Sequence, residues 1–174
     1  MELENNYKIE EFDSEVLREY DIRGVVDKNI TENTAYTIGR VFGYVVFEKI
    51  KSNNICLGYD GRLTSPKLFK ALSYGLRDSG ASVINIGICP TPMLYFADYY
   101  LNADAAIMIT GSHNPSEYNG FKLVLNKHSF YSDNIENFQS IVKNIMLEKK
   151  SGLIKNVYII EEYVNRILKN IFIK

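Results

Sequence analysis

The chain of 174 residues is 46% hydrophobic and 24% charged with 11 glycines, a composition that excludes a disordered or collagen-like polypeptide. Its length suits one domain, able to bury about 70% of the surface its unfolded chain exposes. Lys and Arg number 20 against 21 Asp and Glu, so a net charge of −1 supplies no global field for holding nucleic acid or an anionic membrane.

Residues 1–11 read as an N-terminal extension. Glu2, Glu4, Glu10 and Glu11 stand where a signal peptide needs positive charge and then an apolar stretch. No apolar run approaches the roughly 18 residues that span a bilayer, and a cytoplasmic location is expected. Residues 22–26 form a short β-prone run. From Thr31 onward, Ile38, Val41, Phe42, Val45, Val46 and Ile50 recur at helical spacing, with Thr31 as N-cap, Glu32 in the first turn and Gly39 and Gly43 as close-packing points.

Residues 55–59 read as a strand. Thr64, Ser65 and Pro66 follow as a helix start, with Ser65 as cap, Pro66 at the first helical position and Leu68, Leu72 and Leu76 on the buried face. Gly80 ends that helix. A strand over 82–87 leads to Cys89-Pro90-Thr91-Pro92 and a helix reaching about Tyr100. Residues 103–110 are nearly all apolar, as a central strand covered on both faces must be. A loop over 111–118, a strand over 119–125 and a helix through Ile135, Phe138, Ile141, Val142 and Ile145 come next. After Ser151-Gly152, residues 159–171 outline a last amphipathic helix. Cys56 and Cys89 lie far apart in apolar runs and read as buried free thiols. The 13 tyrosines read as packing residues with a polar tip, and His128 as a surface residue.

This alternation predicts an α/β fold, a three-layer α/β/α sandwich with a mixed, mostly parallel sheet. Ligands in such sheets sit at the carboxyl ends of the strands, which singles out the loops 60–64, 87–91 and 111–118. The last of these carries Thr110-Gly111-Ser112-His113-Asn114-Pro115, a hydroxyl, an imidazole and an amide in succession. Gly111 permits a sharp turn and Pro115 restricts Asn114 to extended geometry. Two chemistries suit a rigid serine there, acyl transfer and phosphoryl transfer. A hydrolase elbow reads Gly-x-Ser-x-Gly with a distant histidine, whereas His113 is adjacent. Arg23, Arg62, His113 and Lys122 flank strand ends or turns and suit a phosphoryl group better.

Four segments in order resemble the first domain of the α-D-phosphohexomutases, the phosphomannomutase/phosphoglucomutase enzymes. They are Tyr20-Asp21-Ile22-Arg23-Gly24-Val25-Val26, Gly58-Tyr59-Asp60-Gly61-Arg62, Pro90-Thr91-Pro92, and Thr110 through Pro115 continuing to Tyr118-Asn119-Gly120-Phe121-Lys122. The resemblance implies an intramolecular phosphotransferase that interconverts hexose 1-phosphate and hexose 6-phosphate, of mannose or glucose. Ser112 is then the phosphoryl carrier, with a hexose 1,6-bisphosphate as intermediate and activator. It further implies that His113 polarises the reacting oxygens. Lys122 and Arg23 serve proton transfer and charge neutralisation, and Tyr20 and Asn114, with Arg23 and Lys122, bind the substrate.

The resemblance also implies Mg²⁺, held in part by the phosphoryl group on Ser112. The family's Asp-Gly-Asp-Gly-Asp-Arg metal loop and its later sugar and phosphate loops do not occur in these residues, and Asp60-Gly61-Arg62 has a single carboxylate. The expected organisation is therefore an extension over 1–11, the first domain over 12–155, and a helix over 156–174 leading toward a second domain. The chain is expected to be a truncated product, one domain of a longer protein, or one part of a split enzyme. Its expected partners are hexose phosphates and the remaining domains or a complementary chain, and in isolation the last helix offers a face for self-association. The alternative is a catalytically incomplete remnant that binds sugar phosphate or serves as an interaction module.

Overall fold

Thr31 opens the first long helix as expected, through a capping box. Its hydroxyl accepts from the Thr34 N–H while the Thr34 hydroxyl accepts from the Thr31 N–H, satisfying donors that the first turn leaves unpaired. In the computed structural model, which describes residues 6–169 and Ile171, this helix, α1, spans Glu32–Ile50. It follows β1 (Ile22–Val25) and precedes β2 (Asn54–Tyr59), α2 (Ser65–Asp78), β3 (Ser82–Ile88), α3 (Thr91–Tyr100), β4 (Ala105–Ile109) and β5 (Tyr118–Leu125). Next come β6 (His128–Phe130), α4 (Asp133–Asn144), β7 (Leu153–Asn156) and α5 (Ile160–Leu168).

The strands form one seven-stranded mixed sheet in the order β1-β5-β4-β2-β3-β7, with β6 beside β5. Parallel pairing joins β7, β3, β2 and β4, while β5 runs antiparallel to β4, β1 and β6. β4 is buried along its whole length, as its apolar run requires. One face packs against α1, α2 and α4 through Ile38, Leu72, Ile107, Phe121 and Phe138. The other packs against α3 through Cys56, Leu94, Met108 and Val124, joined by Ile159 just before α5. This is the three-layer sandwich expected from the alternation. The N-terminal segment lies on α1, where Tyr7 packs on Tyr36 and the Glu10 N–H donates to Thr37 Oγ1. Residues 1–5 of the extension, and Asn170 and residues 172–174 of the last helix as drawn from sequence, lie outside the described residues.

Three details differ from the expectations. Ser65 does not cap α2; it is the first helical residue, and its hydroxyl donates to Asp60 Oδ1 at 2.7 Å, while Thr64 takes the cap position without a side-chain bond. β6 and β7 were not expected. They are edge strands of three and four residues, and β7 is exposed at every position, so neither shows apolar alternation. The last helix is shorter than the 156–174 and 159–171 expected, since Asn156 ends β7 and α5 starts only at Ile160, and Ile160, Val164 and Leu168 on its apolar side are exposed. Among the described residues no helix is long and apolar enough to cross a membrane.

Candidate active site

Parallel pairing sends the carboxyl ends of β2, β3 and β4 to one edge of the sheet, where the three expected loops meet. The Asp60 N–H donates to Ile109 O and the Cys89 N–H to Tyr59 O, both at 2.9 Å, so the three exits are held level. Ser112 leaves β4 with φ 54°, in the left-handed region that a non-glycine residue occupies at a cost. Its N–H donates to Thr110 Oγ1 at 2.9 Å, and Thr110 is itself tied to β5 through Gly120 O at 3.0 Å. The Ser112 side chain is exposed, with Oγ 3.5 Å from His113 Nδ1, the outer limit of a hydrogen bond.

Asn114 is committed to the loop itself. Its backbone N–H and its side-chain Nδ2 both donate to Gly111 O at 3.0 Å, which closes the turn around Ser112. The side-chain carbonyl and the second Nδ2 hydrogen are the polar groups it has left for a ligand. The His113 N–H makes no hydrogen bond among the described residues.

The largest feature of the site is Arg62, one of the cations expected around a phosphoryl group. Its Nε donates to Asp60 Oδ2 at 3.2 Å. Nη1 donates to Pro115 O at 2.7 Å and Tyr118 O at 3.1 Å. Nη2 donates to Ser112 O at 3.0 Å and Asn114 O at 2.8 Å. A guanidinium has five N–H groups, and all five are used. Asp60 is held in turn by Ser65, and the buried Asn119 carboxamide donates to Ser65 Oγ at 3.0 Å and Thr64 Oγ1 at 2.9 Å. Asp60, Arg62, Ser65 and Asn119 thus weld the β2 exit, the start of α2 and the start of β5 into one frame beneath the serine loop. An Asp-Gly-Arg turn at the carboxyl end of a strand was the available signal; which carbonyls the arginine reaches was not.

Arg23 and Lys122 are brought to one sheet face. Ile22 and Phe121 are register partners and both enter the core under α1, as does Leu123. Side chains alternate along a strand, so Arg23 and Lys122 project from the opposite face, the side of Met108 and Val124. α3 covers β2 and β4 on that side. Arg23 is paired with Asp21, whereas the Lys122 side chain forms no hydrogen bond or ion pair among the described residues. Neither reaches Ser112 by a hydrogen bond. Tyr20 lies before β1, 70% exposed, with its ring 6.2 Å from that of Tyr131, so it is a surface aromatic and not a core one. Hydrogen bonding to the Glu19 carboxylate raises its phenol above the usual range.

Among the described residues no group of three or more His, Cys, Asp or Glu side chains is placed to hold a metal ion. Asp60, the carboxylate nearest in the frame, is already shared by Arg62 and Ser65. These side chains therefore do not fit a Mg²⁺ cage on their own.

The model of phosphoglucomutase/phosphomannomutase alpha/beta/alpha domain I matches residues 14–149. The chain is 40% identical over 158 residues to a phosphomannomutase/phosphoglucomutase of Pseudomonas syringae, covering 90% of this chain and 33% of that protein. It is 40% identical over 162 residues to a phosphoglucomutase of Neisseria meningitidis, covering 92% of this chain and 35% of that protein. A crystal structure of a phosphoglucomutase/phosphomannomutase family protein from Burkholderia thailandensis superposes with a TM-score of 0.85 at 36% identity, over 92% of this chain and 36% of that one. The chain thus spans about a third of the length of these relatives. With the frame of the loop and the family model in agreement over the same residues, the chain belongs to the phosphoglucomutase/phosphomannomutase domain I family.

Proposed function

We propose that Ser112 is the phosphoryl carrier of a mutase that interconverts hexose 1-phosphate and hexose 6-phosphate of mannose or glucose. The observation that carries this reading is the exposed Ser112 hydroxyl, held in a left-handed turn by a frame that absorbs the loop's carbonyl oxygens. In the transfer, the bond from Ser112 Oγ to phosphorus breaks as the free sugar hydroxyl bonds to phosphorus, and the proton that the sugar hydroxyl gives up ends on the departing Oγ, which re-forms the serine hydroxyl. The bisphosphorylated sugar then returns its other phosphoryl group to the same oxygen. His113 polarises the phosphoryl oxygens beside Ser112. Arg23, oriented by Asp21, neutralises charge, and the unpaired Lys122 ammonium on the same face serves charge neutralisation and proton transfer. Tyr20 and the Asn114 carbonyl contact the sugar. Ligands for Mg²⁺ other than the phosphoryl group are assigned to polypeptide outside this chain, as is the selection between mannose and glucose. Residues 12–155 form the domain, and α5 leads toward the next one.

The test is intact mass after incubation of the 174-residue chain with a hexose 1,6-bisphosphate. A gain of one phosphoryl group in the wild type and none in Ser112→Ala is expected. Equal gain in both would move the carrier to another residue. Turnover of hexose 1-phosphate is expected only when the remaining domains are supplied.

A further inference from the structure

We infer that Arg62 is the positioning residue of the Ser112 loop and takes no part in binding the phosphoryl group, an assignment that rests on the phosphoryl-transfer reading. Five donors meet five acceptors, so the side chain has no N–H to offer a ligand. Four of the acceptors are main-chain carbonyls of residues 112, 114, 115 and 118. Their orientation is a chemical device. A phosphoryl group on Ser112 carries about two negative charges, and carbonyl oxygens facing it would repel it. With those oxygens drawn onto the guanidinium, the loop does not turn them on the phosphoryl group, and the His113 N–H, which has no partner among the described residues, is left to donate to it.

The same bonds account for Ser112 itself. A left-handed serine persists only where its surroundings over-determine it, and the Ser112 carbonyl is pinned by Nη2 while its N–H is pinned by Thr110. The guanidinium fork is rigid and is held in plane by Asp60, which Ser65 and Asn119 immobilise. A lysine at this position has three donors on a flexible stem and cannot span four carbonyls and a carboxylate. The loop is thereby set by a residue 50 positions away in sequence that touches neither the phosphoryl group nor the sugar.

The test is amide hydrogen exchange of the 174-residue chain, read by NMR at Asn114, whose N–H donates to Gly111 O, and at Tyr118, whose N–H donates to Pro115 O. Leu57 and Ile107 at the centre of the sheet are the controls. In Arg62→Ala and Arg62→Lys the two loop amides should exchange about tenfold faster or more while the controls hold. Millimolar guanidinium should restore protection in Arg62→Ala. Unchanged loop amides would overturn the assignment, and so would a rise shared by the sheet centre, which marks general destabilisation. Phosphoryl acceptance separates the two readings. If the wild type takes no phosphoryl group while the exchange pattern holds, the transfer reading falls and the loop assignment stands. If wild type and both Arg62 variants accept at the same rate, the positioning role falls and Ser112 remains the carrier.

Discussion

Gly111 and Arg62 occupy one another's space: a Cβ on Gly111 would stand 2.6 Å from Arg62 Nε and 2.8 Å from Nη1. The guanidinium lies against a bare backbone because four carbonyls around that glycine converge on it. Gly111→Ala therefore must push Arg62 out of its seat or move the loop. We expect a loss of about 1–3 kcal/mol in urea unfolding, in the range of overpacked interiors, and fast exchange at Asn114. A stable Gly111→Ala protein with a protected Asn114 amide would show that the loop has slack.

Ser112 sets stability against function. Its φ of 54° costs a serine more than a glycine. Ser112→Gly should raise the unfolding free energy by up to about 1 kcal/mol and abolish phosphoryl acceptance. A Ser112→Gly chain less stable than wild type would mean that the Oγ contacts outweigh the backbone strain.

The crossing of α1 over α2 depends on an absent side chain at Gly39, where a Cβ would meet Leu72 O at 2.6 Å and Leu76 N at 2.7 Å. Backbone cannot step aside as a flexible side chain can. Gly39→Ala should destabilise by about 1–3 kcal/mol despite alanine's better helix propensity, measured by urea or thermal unfolding. Neutral behaviour would imply that the helices can separate without loss elsewhere.

Burial pushes the Cys56 thiol up to about 12 and the Cys89 thiol up to about 11, from an ordinary value of 9.0. At pH 8 neither should react with iodoacetamide in the native chain, and both should react in urea. The folded state keeps these protons above pH 9 while the unfolded state loses them. Stability should therefore fall as pH rises from about 9 through the folded values of about 11 and about 12, and Cys56→Ala with Cys89→Ala should flatten that part of the profile. Rapid native alkylation at pH 8 would contradict the burial.

Much of this protein was legible in its sequence because local physics and the global fold agree. The Thr31 cap, the leucines of α2 at helical spacing and the apolar run of β4 each state their own environment. The Ser112 loop was legible too, since a strand end with glycine, serine, histidine, asparagine and proline in succession has few uses. β6 and β7 were not, because short edge strands hold their place by pairing and carry no periodic signal. Ser65 was misplaced for a related reason: a serine before a proline is an apt cap, and only the fold brings Asp60 and Asn119 to claim its hydroxyl.

The sequence by itself determined the alternation of strands and helices, the sheet end where the long loops gather and the serine that stands in one of them. Only the tertiary structure decided that Arg62 faces the loop's carbonyls, that Asn114 closes the turn, and that Arg23 and Lys122 share a face. Most of those are choices of partner between segments far apart in sequence, 56 residues for Arg62 and Tyr118 and more for the β1–β5 pairing of Ile22 with Phe121. Hydrogen-bonding capacity can be read from a residue's type, whereas the acceptor that satisfies it is set by sheet register and loop packing.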